Sequence, residues 1–296
     1  MFKGYFAAVV TPWKNGKLNI EAFVRHIKFL IESKISGIVI CGSTGESMLL
    51  SQEERRLEMR EASACIKGRV PLIINVGSPD TGICIAQAQE AERFGPNAIM
   101  VTCPQYVKPS QEGIYLHFKA VHDAVGAPIL AYNVPFRAGV DIATNTVKRM
   151  VDNLPRMVGL KDAGNNLSRI AELAKVYPSE RFQILYGNDD LALAAFAMGA
   201  CGIISVTANI APKECVEMYE QFFAGNVSRY SAIRKKLTRL HQAMFVESNP
   251  VPVKYALSLM RQMTDEVRGS LTQLSQESKA EVEAAMCEAG LLCKRK

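Results

Sequence analysis

Short apolar runs rich in β-branched residues recur at 5 to 12, 37 to 42, 70 to 77, 98 to 104, 128 to 135, 157 to 163, 182 to 188 and 202 to 208, with segments of helical period between them. The alternation predicts eight strands, each followed by a helix. Helix-start signals support it: Asn19 precedes IEAFVRHIKFLIES, Ser51 forms a capping box with Glu54 before RRLEMREASACI, and Ser110 stands with Gly113 before IYLHFKAVHDAV. Runs such as GIVICG and PLIINVG are apolar throughout rather than alternating, so both their faces are buried, which a parallel sheet covered by helices provides. Open doubly wound sheets and closed barrels both meet that condition. The count of eight, with no GxGxxG after the first strand, favours closure into a (β/α)8 TIM barrel. After about residue 225 the strand signals stop, and SRYSAIRKKLTRLHQAMF, PVPVKYALSLMRQM and QLSQESKAEVEAAMCEAGL predict three helices. The expected organisation is an α/β barrel catalytic domain over 1–224 and a C-terminal helical appendage over 225–296.

Composition changes this picture little. The chain of 296 residues is 48% hydrophobic and 22% charged, as expected of a globular protein with a substantial core. The net charge, 35 − 29 = +6, is spread along the chain apart from the tail Lys294, Arg295, Lys296. A nucleic-acid partner calls for a clustered basic stripe, so none is expected, whereas anionic small substrates are compatible. The eight cysteines form no CxxC pair and lie mostly inside apolar runs, and they read as reduced core residues. The opening MFKGYFAAVVTP is too short, and too soon interrupted by Pro12, for a signal peptide; a cytoplasmic location is expected. The apolar stretch from Leu191 to Ala211 is broken by Gly199, Gly202, Ser205, Thr207 and Asn209 into a helix and a strand, which argues against a membrane span.

A barrel presents its reactive groups at the C-terminal ends of its strands. Those ends carry Gly42, Ser43, Thr44, Gly45 and Glu46 after the second apolar run, Pro104, Gln105 and Tyr106 after the fourth, and Tyr132 to Arg137 after the fifth. Lys161 and Asp162 close the sixth, and Gly187 to Asp190 the seventh. Lys161, inside the barrel mouth, is a Schiff-base candidate, because exclusion of water suits an amine nucleophile. The alternative for it is a salt bridge with the adjacent Asp162. The phenol of Tyr132 can move protons, although a tyrosine at a strand end is more often a packing residue. The Gly42 to Glu46 turn is expected to open a helix and to hold a carboxylate with backbone donors and the Ser43 and Thr44 hydroxyls. Arg137, after the rigid Val134 and Pro135, can offer a planar fork to a second carboxylate; by itself it reads as a solvated loop arginine. His26, His117, His122 and His241 fall in predicted helices at spacings that suggest no metal site, and no cofactor is expected.

In order and spacing, GSTGES, PQYVKPSQEGIYLHF, YNVPFRAG, VGLKDA and YGNDD resemble the dihydrodipicolinate synthase and N-acetylneuraminate lyase superfamily, over about residues 1 to 224. The resemblance implies that Lys161 forms an imine with pyruvate. The carboxylate would be held around Ser43 and Thr44, with Gly187 and Ile204 lining the same pocket. The enamine derived from the imine would then attack the aldehyde of aspartate semialdehyde. Tyr132 is implied as proton shuttle, linked through the Ser43 hydroxyl to Tyr106, which in the family reaches into a neighbouring subunit's site. A homo-oligomer, commonly a dimer of dimers, follows. Ser43 stands where the synthases usually carry a threonine, and the hydroxyl is retained. YNVPxRxG matches the synthase branch, whose arginine binds the semialdehyde carboxylate, whereas sialic acid lyases usually have an apolar residue there. Another pyruvate-dependent aldolase of the superfamily, a 2-keto-3-deoxy-sugar acid aldolase or an N-acetylneuraminate lyase, is the alternative, and a non-catalytic binding barrel a remote one. Lysine-sensitive members resemble one another at an interface pocket with histidine, asparagine, glutamate and tyrosine positions. Here Gln52, Arg55, Pro79, Ile83 and Gln105 fall at or near them, so weak or absent inhibition by lysine is expected.

Overall fold

The computed structural model describes residues 2 to 293. Its strands are β1 (Gly4–Ala8), β2 (Trp13–Lys14), β3 (Lys17–Leu18), β4 (Gly37–Ile40), β5 (Leu72–Val76), β6 (Ala98–Thr102), β7 (Ile129–Asn133), β8 (Met157–Asp162), β9 (Gln183–Tyr186) and β10 (Gly202–Ser205). Eight of them close into a parallel barrel in the order β1, β10, β9, β8, β7, β6, β5, β4. The eight expected apolar runs are these eight strands, each ending earlier than its run. The helices are α1 (Ile20–Glu32), α2 (Gln52–Ile66), α3 (Thr81–Glu92), α4 (Gln111–Ala124), α5 (Pro135–Ala138), α6 (Thr144–Asn153), α7 (Leu167–Val176), α8 (Ala192–Ala197), α9 (Pro212–Phe223), α10 (Val227–Ala243), α11 (Val251–Leu259) and α12 (Gln276–Glu288).

The capping signals are realised. The Asn19 side chain accepts from Ala22 N at 3.1 Å, and Ser110 Oγ accepts from Gly113 N at 3.2 Å. Ser51 and Glu54 close the reciprocal capping box at 3.1 and 2.8 Å, satisfying donors that a helix start leaves unpaired. One element escaped the sequence reading. The first apolar run ends at Ala8, and β2 and β3 form a separate antiparallel hairpin whose turn residues, Asn15 and Gly16, have φ of +52° and +73°. An Asn-Gly pair adopts left-handed backbone at low cost, which is why it marks two-residue hairpins.

Two compact units make up the described chain. One comprises Pro71–Ile204 with the first residues up to Lys3, and the other comprises Gly4–Val70 with the chain from Ser205 onward. In the first, β5 to β9 pair in parallel register, with Ile73 against Ala98, Ile99 against Ile129 and Leu160 against Ile184. Every residue of β5, β7 and β9 is buried, as the uniformly apolar runs require. In the second, β1 pairs with β4, and α10 packs on α9 and α12. Five cysteines are buried (Cys41, Cys84, Cys103, Cys201, Cys215), and Cys293 is exposed. Among the described residues no helix is long and apolar enough to cross a membrane. The stretch from Leu191 to Ala211 divides into α8 and β10, as its glycines and polar residues indicated.

Candidate active site

In the first unit, parallel pairing of β7 with β8 sets Tyr132 opposite Lys161 at the C-terminal ends of both strands. The Lys161 Nζ lies over the face of the Tyr132 ring, 4.0 Å from its centroid. Both residues are buried, at 7% and 4% exposure, so amine and aromatic ring meet with little water between them. Successive strand residues point to opposite faces, and this separates Lys161 from Asp162. The Asp162 carboxylate accepts from Asn133 Nδ2 at 3.0 Å, from Gly164 N at 2.9 Å and from Arg169 Nη1 at 3.4 Å. Its partners come from β7, the following loop and α7, and the lysine–aspartate salt bridge weighed from sequence is not what organises it. Burial pushes the Asp162 carboxyl up, against the opposing pull of the Arg169 guanidinium. Arg169 is itself paired with Asp141, whose carboxylate also accepts from Asn133 at 2.7 Å. This network fixes the ends of β7 and β8, and with them Tyr132 and Lys161.

Arg137 lies on the single turn of α5, which begins at Pro135 and is capped by Gly139 with φ +75°. Its side chain is exposed. Tyr106 N donates to Ala138 O at 3.0 Å, tying the loop after β6 to α5. Tyr106 has φ +72° and is 90% exposed, and Val107 and Phe136 are exposed beside that tie. Gly187 follows β9, and its N donates to Asp162 O at 2.8 Å. A Cβ there would stand 2.7 Å from Ala163 Cβ, so only glycine fits. Ile204, on β10, is fully buried.

The hydroxyl-bearing turn belongs to the second unit. Gly45 N donates to Gly42 O at 3.1 Å, Glu46 N to Ser43 O at 3.1 Å and Ser47 N to Gly42 O at 3.3 Å. The segment runs into a single 3-10 turn, Ser47–Leu49, and α2 starts only at Gln52. The expectation that this turn opens a helix is corrected to this extent: it runs into the 3-10 turn rather than an α-helix, and the N–H groups of Gly45, Glu46 and Ser47 close back on Gly42 and Ser43. Thr44 is buried and its Oγ1 accepts from Asn249 Nδ2 at 3.0 Å, so the Thr44 hydroxyl proton is left to donate elsewhere.

Sequence reasoning missed what holds this turn. Glu46 has left-handed backbone, φ +50°, and a fully buried side chain. Its carboxylate accepts from Lys254 Nζ at 2.6 Å, Trp13 Nε1 at 3.1 Å and Arg268 N at 3.0 Å. Lys254 lies on α11, where a lone lysine in the apolar stretch VPVKYALSL was the available signal. Burial pulls its ammonium below the usual lysine range, with Glu46 opposing. The Arg268 guanidinium stacks 3.6 Å from the Trp13 ring centroid and binds Glu54 at 2.7 and 2.8 Å. The histidines do fall in helices and serve packing: His26 bonds Asn209 at 3.0 Å, His241 bonds Thr207 at 2.9 Å, and His117 bonds Thr81 at 3.0 Å.

The model of the dihydrodipicolinate synthetase family matches residues 1–289. A relative named 4-hydroxy-tetrahydrodipicolinate synthase from Phenylobacterium zucineum is 40% identical over 295 residues, 99% of either chain. One of the same name from Afipia carboxidovorans is 41% identical over 291 residues, 98% of either chain. The solved dihydrodipicolinate synthase of Thermotoga maritima matches with TM-score 0.95 at 34% identity, covering 99% of this chain and 100% of that one. That of Cyanidioschyzon merolae, solved with lysine bound, matches with TM-score 0.95 at 30% identity over 98% and 99% of the two chains. With a family model spanning nearly all of it and full-length relatives at this identity, the chain belongs to the dihydrodipicolinate synthetase family.

Proposed function

We propose that this chain is a Schiff-base class I lyase that condenses pyruvate with L-aspartate 4-semialdehyde to 4-hydroxy-tetrahydrodipicolinate, in diaminopimelate and lysine biosynthesis. The observation that carries the reading is the buried Lys161 amine held over the Tyr132 ring at the C-terminal ends of β8 and β7. Lys161 attacks the keto carbon of pyruvate, and loss of water gives the imine. The protonated imine withdraws electrons from the methyl group, whose deprotonation gives an enamine. The enamine carbon attacks the aldehyde; the amine of the adduct then attacks the former keto carbon, closing the ring and releasing Lys161.

Tyr132 moves protons in these steps, in relay with the Ser43 hydroxyl and Tyr106. Ser43 and Thr44 hold the pyruvate carboxylate, with Gly187 and Ile204 lining its pocket, and Arg137 clamps the semialdehyde carboxylate. These roles rest on the family's motifs at the matching positions, and the free Thr44 proton and the fixed lysine–tyrosine pair support them. The barrel of the 1–224 region carries the catalysis, and the 225–296 region, whose last three residues lie outside those described, supplies a helical appendage. The exposed Tyr106, Val107 and Phe136 support assembly into a dimer of dimers, because a lone globular chain seldom leaves such a group of large apolar side chains in water. The location is cytoplasmic.

Borohydride reduction in the presence of pyruvate tests the central step. The expected product is a reduced pyruvyl adduct on Lys161, lost in Lys161→Met. An unmodified chain, or an adduct confined to other lysines, overturns the proposal. A coupled assay with aspartate semialdehyde and sugar-acid aldehydes decides the acceptor: Arg137→Ala is expected to raise the KM for the semialdehyde, and an unchanged KM refutes the clamp.

A further inference from the structure

Beneath the hydroxyl-bearing turn lies a buried acid that the mechanism above does not use. Glu58, on α2, is fully buried. Its Oε1 is 2.5 Å from Thr11 Oγ1, and its Oε2 is 3.6 Å from Cys41 Sγ. Thr11, also fully buried, is in turn 2.7 Å from the carbonyl oxygen of Gly45, inside the turn itself.

The arrangement fixes where the protons are. A hydroxyl has one proton to donate and a carbonyl oxygen can only accept, so at hydrogen-bond distance Thr11 must donate to Gly45. It then has nothing left to give Glu58, and two bare oxygens 2.5 Å apart repel. The contact is attractive only if Glu58 carries a proton on Oε1 and donates it to Thr11. Oε2 is then the carbonyl of a neutral acid, positioned to accept the Cys41 S–H. One directed chain results: thiol to acid, acid to hydroxyl, hydroxyl to the Gly45 carbonyl.

We infer that Glu58 is a positioning residue for the pyruvate-binding turn, acting as a neutral acid that commits the Thr11 hydroxyl to the Gly45 carbonyl. When Glu58 ionises, its carboxylate becomes the stronger acceptor, Thr11 turns to it, and the Gly45 carbonyl loses its partner. The turn that presents Ser43 and Thr44 is then held less firmly. The charged and titratable groups acting on Glu58 are few. Burial pushes the acid up to about 7, against the opposing pull of the Thr11 and Cys41 hydrogen bonds and of Arg55 on the same helix, and Glu46 from the turn adds to the rise. Lys254, from α11, faces the same acid and is stabilised as an ammonium when Glu58 ionises. The Cys41 thiol is pushed up by burial and stays protonated alongside it.

This inference rests on the reading that the turn binds pyruvate, and the two fail separately. The experiment measures KM for pyruvate and kcat from pH 6 to pH 9 in the native protein, Glu58→Gln and Glu58→Leu. The amide of glutamine donates to Thr11 and accepts from Cys41 as the neutral acid does, and it cannot ionise. In the native protein KM is expected to rise about fivefold across neutrality, the factor that one neutral hydrogen bond is worth, with kcat changed less. Glu58→Gln is expected to keep the low-pH KM throughout, and Glu58→Leu to show the raised KM at every pH. A rise that persists in Glu58→Gln overturns the inference, as does a native KM flat with pH. Should Glu58→Gln fail to fold, 13C NMR of the native protein labelled at glutamate Cδ decides: one glutamate carboxyl must titrate near neutrality, and titration of all of them below pH 6 overturns the inference. Borohydride trapping of Lys161 in the same samples separates the two claims, since trapping with a flat KM sinks only the role of Glu58, and no trapping sinks the pyruvate reading.

Discussion

Replacing Lys254 by methionine removes one partner of an ion pair in which both side chains are fully buried and the Nζ–Oε1 distance is 2.6 Å. The aliphatic stem is nearly conserved, so packing changes little and the loss is electrostatic. Glu46 keeps its bonds from Trp13 Nε1 and Arg268 N, which offset part of the cost of leaving its charge without a cation. Breaking a buried pair by deleting one member typically costs about 3–5 kcal/mol; with two neutral donors remaining, a value near the lower end, about 3 kcal/mol, is expected. At roughly 2–4 °C per kcal/mol for a chain of this size class, the midpoint of thermal unfolding falls by about 6–12 °C. The assay is urea unfolding followed by circular dichroism at fixed protein concentration, alongside Glu46→Gln and the double variant. Because the double variant has no uncompensated charge, it is expected to recover at least half of the loss. A Lys254→Met variant within about 1 kcal/mol of the parent, or single-variant losses that simply add in the double, would refute the claim that this pair holds Glu46 at the end of the turn.

Three further outcomes are expected. Gly187→Ala puts a methyl group 2.7 Å from Ala163 Cβ, and overpacking of that kind costs about 1–3 kcal/mol; unfolding to baseline stability, or an unchanged KM for pyruvate, counts against the pocket assignment. Glu58 gives a stability signature of its own. Its carboxyl rises from 4.5 to about 7 on folding, so between those values the native chain holds a proton that the unfolded chain has released, and raising the pH through that window removes about 3 kcal/mol of stability. Urea unfolding at pH 4.5 and pH 8 is expected to show Glu58→Gln gaining on the parent as pH rises, and a pH-independent difference refutes the shift. Titrating lysine into the turnover assay is expected to leave activity largely intact, on the expectation that Gln52, Arg55, Pro79, Ile83 and Gln105 fall at or near the positions that lysine-sensitive members share, and half-inhibition below millimolar lysine contradicts this.

The sequence by itself determined the architecture and singled out the candidate groups. Uniformly apolar runs separated by capped helical segments leave few solutions besides strands buried on both faces, and eight of them fit a closed barrel. Lys161, Tyr132 and the hydroxyls of Ser43 and Thr44 were singled out as candidates because each lies at or just after the end of an apolar run, where a barrel exposes its side chains. Tertiary structure decided how those groups are held. That Asp162 turns away from Lys161 toward Asn133 and Arg169 follows from strand alternation combined with the packing of α7, which spacing alone does not reveal. The support of the turn comes from residues far apart in the chain: Lys254 is 208 positions from Glu46, and Asn249 is 205 from Thr44. Pattern and periodicity report local preference, whereas a buried charge or proton is placed by whichever distant groups folding brings within 3 Å of it, and only the folded chain contains that information.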